Sequence, residues 1–157
     1  MKQKFIDAYM DVAKRFSQLS TAKRLQVGAI IVKNDRIISI GYNGMPSGWA
    51  NECEEVVDVK KEDPRYNYDN FTKELKTKNE VIHAEANAIA KLAKSTESGD
   101  GAVMFLTHAP CMDCAKQIYA SGISKVYFGE QYRSSSGYEF LTKCNVKVEQ
   151  WISGDNT

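Results

Sequence analysis

Two short motifs, His83-Ala84-Glu85 and Pro110-Cys111-Met112-Asp113-Cys114, constrain the fold of this chain more than any other feature. Each places a candidate metal ligand where a helix is expected to begin. One imidazole and two thiolates make up the Cys2His set, which leaves tetrahedral zinc one open position. If His83, Cys111 and Cys114 share one ion, two helix starts remote in sequence must meet at a point.

The spacing within each motif carries its own chemistry. Cys111 and Cys114 are three residues apart and share a face if they open a helix. Pro110 suits such a start because it has no amide proton to leave unpaired and its φ is already helical. The positive helix end then faces the thiols and favours the metal-binding thiolate form. His83 and Glu85, two apart, would diverge inside a helix at about 100° per residue. They converge only in a first turn, where a flexible carboxylate can swing across the helix end. That makes Glu85 a proton carrier beside the metal rather than a ligand. Two anionic sulfurs weaken zinc as a Lewis acid, so a carboxylate that takes the proton of a water is chemically useful.

The same residues admit two other readings. Cys111 and Cys114 could be a redox dithiol, although the His83 motif would then have no purpose. Alternatively, Cys53 or Cys144 could supply a fourth ligand to a closed structural zinc site, with Glu85 an ordinary helix-start carboxylate.

At 157 residues the chain fits a single domain spanning 1–157 with room for a substantial core. Four cysteines are too few for a disulfide scaffold. Cys53, in an acidic and surface-like stretch, and Cys144, near a helix end, read as ordinary residues. With 21 basic and 20 acidic residues the net charge is +1, which gives no footprint for long nucleic acid. No apolar run is long enough to cross a bilayer, and the N-terminus lacks the apolar core of a secretory signal. No membrane association and a cytoplasmic location, or host cytoplasm for a viral protein, are the expectations.

Along the chain, Phe5, Ala8, Tyr9, Val12, Ala13, Phe16 and Leu19 mark an amphipathic helix ending near Ser20. Two β-rich runs, 27–32 and 36–42, flank the turn Lys33-Asn34-Asp35 and read as a hairpin. Residues 49–81 lack periodicity, carry many charges and include Asp63-Pro64, Tyr66, Tyr68 and Phe71, so they read as a long insertion, of a length often used as a lid or binding segment. A short helix over Phe71 to Lys78 is one way to organise it. Beyond it, a helix from His83 to Lys94, a strand over 102–107, a helix from the second motif to Gly122, a strand over 125–128, a short helix from Tyr138 and a last strand over 146–151 alternate. The alternation predicts an α/β fold with a mixed sheet, helices on both faces, and the metal at strand-to-helix junctions.

The motif pair resembles the zinc-dependent nucleobase deaminases, whose signature is H-x-E followed by P-C-x-x-C. Arg24-Leu25-Gln26-Val27-Gly28-Ala29, Gly41-Tyr42-Asn43-Gly44-Met45-Pro46-Ser47-Gly48, His83 through Ile89, and Cys111 through Lys116 are similar, within that superfamily, to phage-like deoxycytidylate deaminases. The resemblance implies a three-layer α/β/α cytidine deaminase-like fold with about five mixed strands. It also implies hydrolysis of dCMP to dUMP and ammonia by a zinc-activated water, feeding thymidylate synthesis. His83, Cys111 and Cys114 are then the ligands of one catalytic Zn2+ and Glu85 the acid/base. Some phage relatives carry an extra structural zinc, but with two histidines in this chain one zinc is expected.

By the same resemblance Asn43 would bind the sugar, and His108 stands where a ring could face the base. Arg24, Tyr132 and Arg133 are candidates for the phosphate. Against these stand plainer readings: Asn43 as a turn residue, His108 as a linker histidine, and Arg24, Tyr132 and Arg133 as surface residues. Family resemblance further implies a homo-hexamer regulated by dCTP and dTTP, with Mg2+ accompanying the triphosphate, at a site involving Gly41, Tyr42, Asn43 and Gly44. Rival functions are deamination of another nucleoside, nucleotide or tRNA base, and a non-catalytic zinc-stabilised binding module.

Overall fold

The computed structural model describes residues 1–61 and 70–153. Asp63-Pro64, Tyr66 and Tyr68 of the expected insertion lie outside the described residues. The described elements run α1 (Gln3–Ser17), β1 (Gly28–Lys33), β2 (Arg36–Tyr42), β3 (Glu54–Lys61), β4 (Asn70–Thr77), α2 (Ala84–Leu92), β5 (Val103–His108), α3 (Met112–Ala120), β6 (Lys125–Glu130), α4 (Ser136–Lys143) and β7 (Lys147–Gln150).

Five strands form a mixed sheet in the order β2-β1-β5-β6-β7. The β1–β2 and β1–β5 pairs are antiparallel, and the β5–β6 and β6–β7 pairs are parallel. Asn34 and Asp35, with φ of 50° and 57°, make the tight β1–β2 turn that suits the twist of paired strands. The parallel pairs need crossovers, and α3 and α4 supply them.

Strand alternation divides the core in two. Ala29, Ile31, Met104, Leu106, Val126 and Phe128 face α2, α3 and α4, while Ile30, Val32, Phe105 and Tyr127 face α1. On the α1 side Phe105 lies 5.1 Å from the Tyr9 ring and stacks on Tyr127 at 5.2 Å. This is the three-layer arrangement expected from the alternation of strands and helices.

The buried stripe of α1 is Ile6, Met10 and Ala13. Of the residues expected on that face, Phe5 and Leu19 are exposed. Gly28 explains the rotation. A Cβ there would run into the Ala13 carbonyl oxygen, so the helix backbone rests directly on β1. That close approach decides which stripe points inward.

In the expected insertion, Phe71 to Thr77 are strand rather than helix. β3 and β4 pair antiparallel over eight positions from Glu54↔Thr77 to Lys61↔Asn70. Glu55 faces Lys76 and Asp58 faces Lys73, opposite charges that favour a pair exposed on both sides. Such a hairpin buries little, and its apolar residues leave no clear periodic stripe. Cys53 also departs from expectation: it is fully buried with Ala22 and Val81, and its sulfur lies 3.5 Å from the Thr21 hydroxyl. Among the described residues no helix is long and apolar enough to cross a membrane.

Candidate metal centre and substrate cavity

Both motifs sit where helices begin. His83 is the N-cap of α2 and Cys111 the N-cap of α3, two residues later than a helix with Pro110 at its first position would give. Pro110 therefore precedes the cap and ends the β5 connection. Neither N-cap side chain caps its own helix. Helix starts usually place Ser, Thr, Asp or Asn there to bind an orphan amide. Here the two side chains are turned to each other instead.

The His83 Nδ1 atom lies 3.6 Å from the Cys111 sulfur and 3.4 Å from the Cys114 sulfur. All three ligand atoms fall within 4.8 Å of one another. A tetrahedral zinc with its usual bond lengths sets a sulfur-to-nitrogen edge of about 3.6 Å, so the residues fit the ion. Among the described residues Cys53 and Cys144 are not in this group, which leaves one position of a tetrahedron without a protein ligand. The closed four-ligand site has no candidate here.

The electrostatics favour a cation. Hydrogen bonds from Cys114 and His83 push the Cys111 thiol down to about 4. The Cys114 thiol is pushed up by its bond to Cys111 and by burial. Beside them the Cys111 sulfur raises the His83 imidazole. Metal binding requires the thiolate and neutral imidazole forms, so a bound dication displaces the protons these groups hold. The N-termini of α2 and α3 both point into this cluster and add positive potential for the thiolates.

Glu85, 4% exposed, sits in the first turn of α2 with its carboxyl at the Cys114 sulfur. Burial holds it above the usual carboxylate range, against the lowering effect of its own backbone N–H and of His83. The geometric conflict between His83 and Glu85 is resolved because His83 lies outside the helix proper.

The α2 start is fixed by β2 and the residues after it. Gly44 and Ile82 exchange backbone hydrogen bonds of 3.1 and 2.9 Å, immediately before His83. The Asn87 amide donates to the Tyr42 carbonyl at 3.1 Å, and the Ser39 hydroxyl to the Ala88 carbonyl at 2.6 Å. At Gly41 a Cβ would strike the Ala84 carbonyl oxygen, so only glycine lets the helix settle there.

A cavity of about 780 Å3 opens over the metal ligands. Arg24, Asn43, His83, Glu85, His108, Cys111, Tyr132 and Arg133 all line it, so the structure brings together the sequence candidates for ligand, acid/base and substrate contacts. Cys114 is buried behind the cluster at 2% exposure. Gly41, Tyr42 and Gly44 do not line this cavity.

Residues 3–130 match the family of the cytidine and deoxycytidylate deaminase zinc-binding region. The chain belongs to that family. It is 37% identical to the deoxycytidylate deaminase of Enterobacteria phage T4, across 89% of this chain and 85% of the phage protein. Its fold matches the dCMP deaminase of cyanophage S-TIM5 in complex with dCMP and dUMP at a TM-score of 0.81. Identity there is 42%, covering 96% of this chain and 99% of the cyanophage chain. The apo form of the cyanophage enzyme matches at a TM-score of 0.78.

Zinc is accordingly the metal that the Cys2His group of this deaminase domain is built to hold. Around it the other side chains have definite partners. Asn43 spans the approach to β1: its Oδ1 accepts from the Val27 amide at 2.8 Å and its Nδ2 donates to the Leu25 carbonyl at 2.8 Å. Each atom keeps one further hydrogen-bonding position. His108 closes β5, its Nδ1 3.0 Å from the Thr107 hydroxyl and its Nε2 3.4 Å from Glu130. Arg133 stacks over Tyr132 at 5.4 Å, and Arg24 donates to the Thr77 hydroxyl at 3.1 Å.

The insertion takes part in the cavity, as a lid or binding segment would, but its hairpin form was not read from the sequence. Glu54, Val57, Val59, Glu74, Leu75, Lys76 and Thr77 make a wall of the cavity. The available signal was Val56, Val57 and Val59 followed by Phe71, Thr72, Leu75 and Thr77, strand-forming residues obscured by the charges among them.

Proposed function

We propose that this chain hydrolyses dCMP to dUMP and ammonia. The observation that carries the proposal is a Cys2His group and a buried carboxyl at the floor of a nucleotide-sized cavity. Support comes from a chain-long match to a cyanophage enzyme whose structure holds dCMP and dUMP. Zinc bound by His83, Cys111 and Cys114 supplies a Lewis acid that brings the pKa of water toward about 7.

Glu85 does the proton work. Its buried carboxyl takes a proton from the attacking water and hands it to the ring nitrogen next to the amine-bearing carbon. Glu85 then carries the second water proton from the hydroxyl on the attacked carbon to the amine; the carbon–nitrogen bond breaks, the water oxygen becomes the new carbonyl of the product, and ammonia leaves. A carboxyl held above its ordinary range is suited to both directions of transfer.

The remaining lining residues fit a nucleoside monophosphate. Arg24, Tyr132 and Arg133 offer donors to a phosphate, His108 a ring edge beside the base, and the free positions of Asn43 a contact to the sugar. Family likeness supports two further parts of the reading: a homo-hexamer, and control by dCTP and dTTP with Mg2+ on the triphosphate. A second cavity of about 500 Å3, lined by Met45, Trp49, Glu55 and Lys78, begins one residue after the Gly41–Gly44 run in the chain and offers room for such an effector.

Turnover of dCMP, CMP, deoxycytidine and a tRNA anticodon stem by the zinc-loaded protein tests the substrate. We expect dCMP to give the highest kcat/KM. Preference for any of the other three would replace the substrate, and no turnover of any would leave the binding-module reading in its place.

A further inference from the structure

We propose that Glu54, a residue without a direct chemical role, is a positioning residue that sets Arg24 at the mouth of the cavity for the substrate phosphate. The inference rests on the dCMP reading above. Glu54 and Thr77 are the cross-strand pair that closes the base of the β3–β4 hairpin. Both reach the same two-residue segment ahead of β1. The Glu54 Oε1 atom accepts the backbone amides of Lys23 at 2.9 Å and Arg24 at 3.0 Å, while the Thr77 hydroxyl accepts the Arg24 guanidinium at 3.1 Å. All three residues Arg24, Glu54 and Thr77 line the cavity.

The surrounding bonds make this anchorage local and directional. Just upstream, Thr21 donates to the Asn51 carbonyl at 2.7 Å, and the Lys78 amide donates to the Cys53 carbonyl at 2.9 Å. Downstream, Asn43 holds the Leu25 carbonyl and the Val27 amide. Residues 23–24 therefore run between two clamps, one from the hairpin and one from the end of β2. A carboxylate that accepts two consecutive amides fixes the peptide plane from which the Arg24 side chain departs. Charge-assisted bonds of this kind are the stronger class. Thr77 then fixes the far end of the same side chain.

Positioning and simple charge predict opposite signs. Glu54 is an anion beside a cavity proposed to take a dianionic phosphate, so as a point charge it repels substrate, and removing it should tighten binding. As a positioning residue it organises the arginine, so removing it should weaken binding.

The test compares Glu54→Ala, Glu54→Gln and Thr77→Val with wild type, in dCMP kinetics and in competitive inhibition by deoxyuridine, which lacks the phosphate. For Glu54→Ala we expect KM for dCMP to rise about five- to tenfold with kcat within about twofold, the size expected from losing a charge-assisted bond pair. The Ki of deoxyuridine should not move. Glu54→Gln, whose amide oxygen can accept the same two N–H groups, should stay within about twofold of wild type. Thr77→Val leaves the backbone clamp in place and should raise KM about threefold by freeing the guanidinium. In an Arg24→Ala background, Glu54→Ala should add nothing, the non-additivity of residues acting through one another.

A KM that falls or stays constant in Glu54→Ala, a parallel loss for deoxyuridine, or additive effects with Arg24→Ala would overturn the assignment. Wild-type protein inert toward dCMP would overturn the assignment and the substrate reading together. Active wild type with an unchanged Glu54→Ala KM would overturn the assignment alone.

Discussion

At the scale of single residues, the centre is built by taking two N-cap positions out of ordinary service. His83 and Cys111 forgo capping bonds, and their side chains meet over a third ligand one turn into α3. Departures of this kind from local rules are characteristic of functional sites. Replacing His83 or Cys114 by Ala should reduce zinc from one ion per chain to a small residual fraction, read by metal analysis, and should lower the melting temperature, because metal binding is coupled to folding. Retention of full zinc in either variant would refute the ligand assignment. These residues were legible in the sequence because zinc chemistry admits few donor types and spacings. Glu54 was not, since a carboxylate that works on backbone amides leaves no partner residue to recognise. Cys53 misled for a related reason: charged neighbours marked its stretch as surface, while the sulfur itself turns inward against Thr21.

Secondary-structure elements place those residues, and glycine sets two of the closest approaches. α1 seats on β1 at Gly28, and α2 seats on β2 at Gly41. The second contact matters for chemistry because it fixes the helix that begins at His83 and carries Glu85. Gly41→Val should destabilise the fold by about 1–3 kcal/mol through overpacking, seen in chemical denaturation, and should lower zinc occupancy by shifting the start of α2. Normal stability and full zinc would show that α2 is positioned by other contacts. The Gly41–Gly44 run was recognisable as a motif, but its structural task was not: nothing in a string of turn formers says that Tyr42 and Gly44 will hold a later helix. The hairpin β3–β4 escaped notice because its strands are paired by alternating charges and little of it is buried, which removes the periodicity on which strand recognition depends. The expected face of α1 was right at Tyr9, Val12 and Ala13, which pack against the sheet, but it took in the exposed Phe5 and Leu19 and left out Ile6 and Met10, because both stripes are apolar in sequence.

For the whole molecule, one mixed sheet brings remote pieces of chain to a single opening. The parallel half delivers α3 and the segment after β6. Its antiparallel half delivers α2 and the residues around β1, and the hairpin walls the side. The α/β architecture was legible because strands and helices alternate strongly beyond residue 81, whereas the cavity wall depends on packing between segments that carry no shared motif. The central claim is that a carboxyl beside a Cys2His zinc site moves the proton in dCMP hydrolysis. The most direct measurement is dUMP formation by wild type and Glu85→Gln at equal zinc content. The account predicts one zinc per chain in both proteins and a loss in kcat of at least about 100-fold in the variant, the scale of general acid–base catalysis. Equal rates for the two proteins at equal zinc would contradict it.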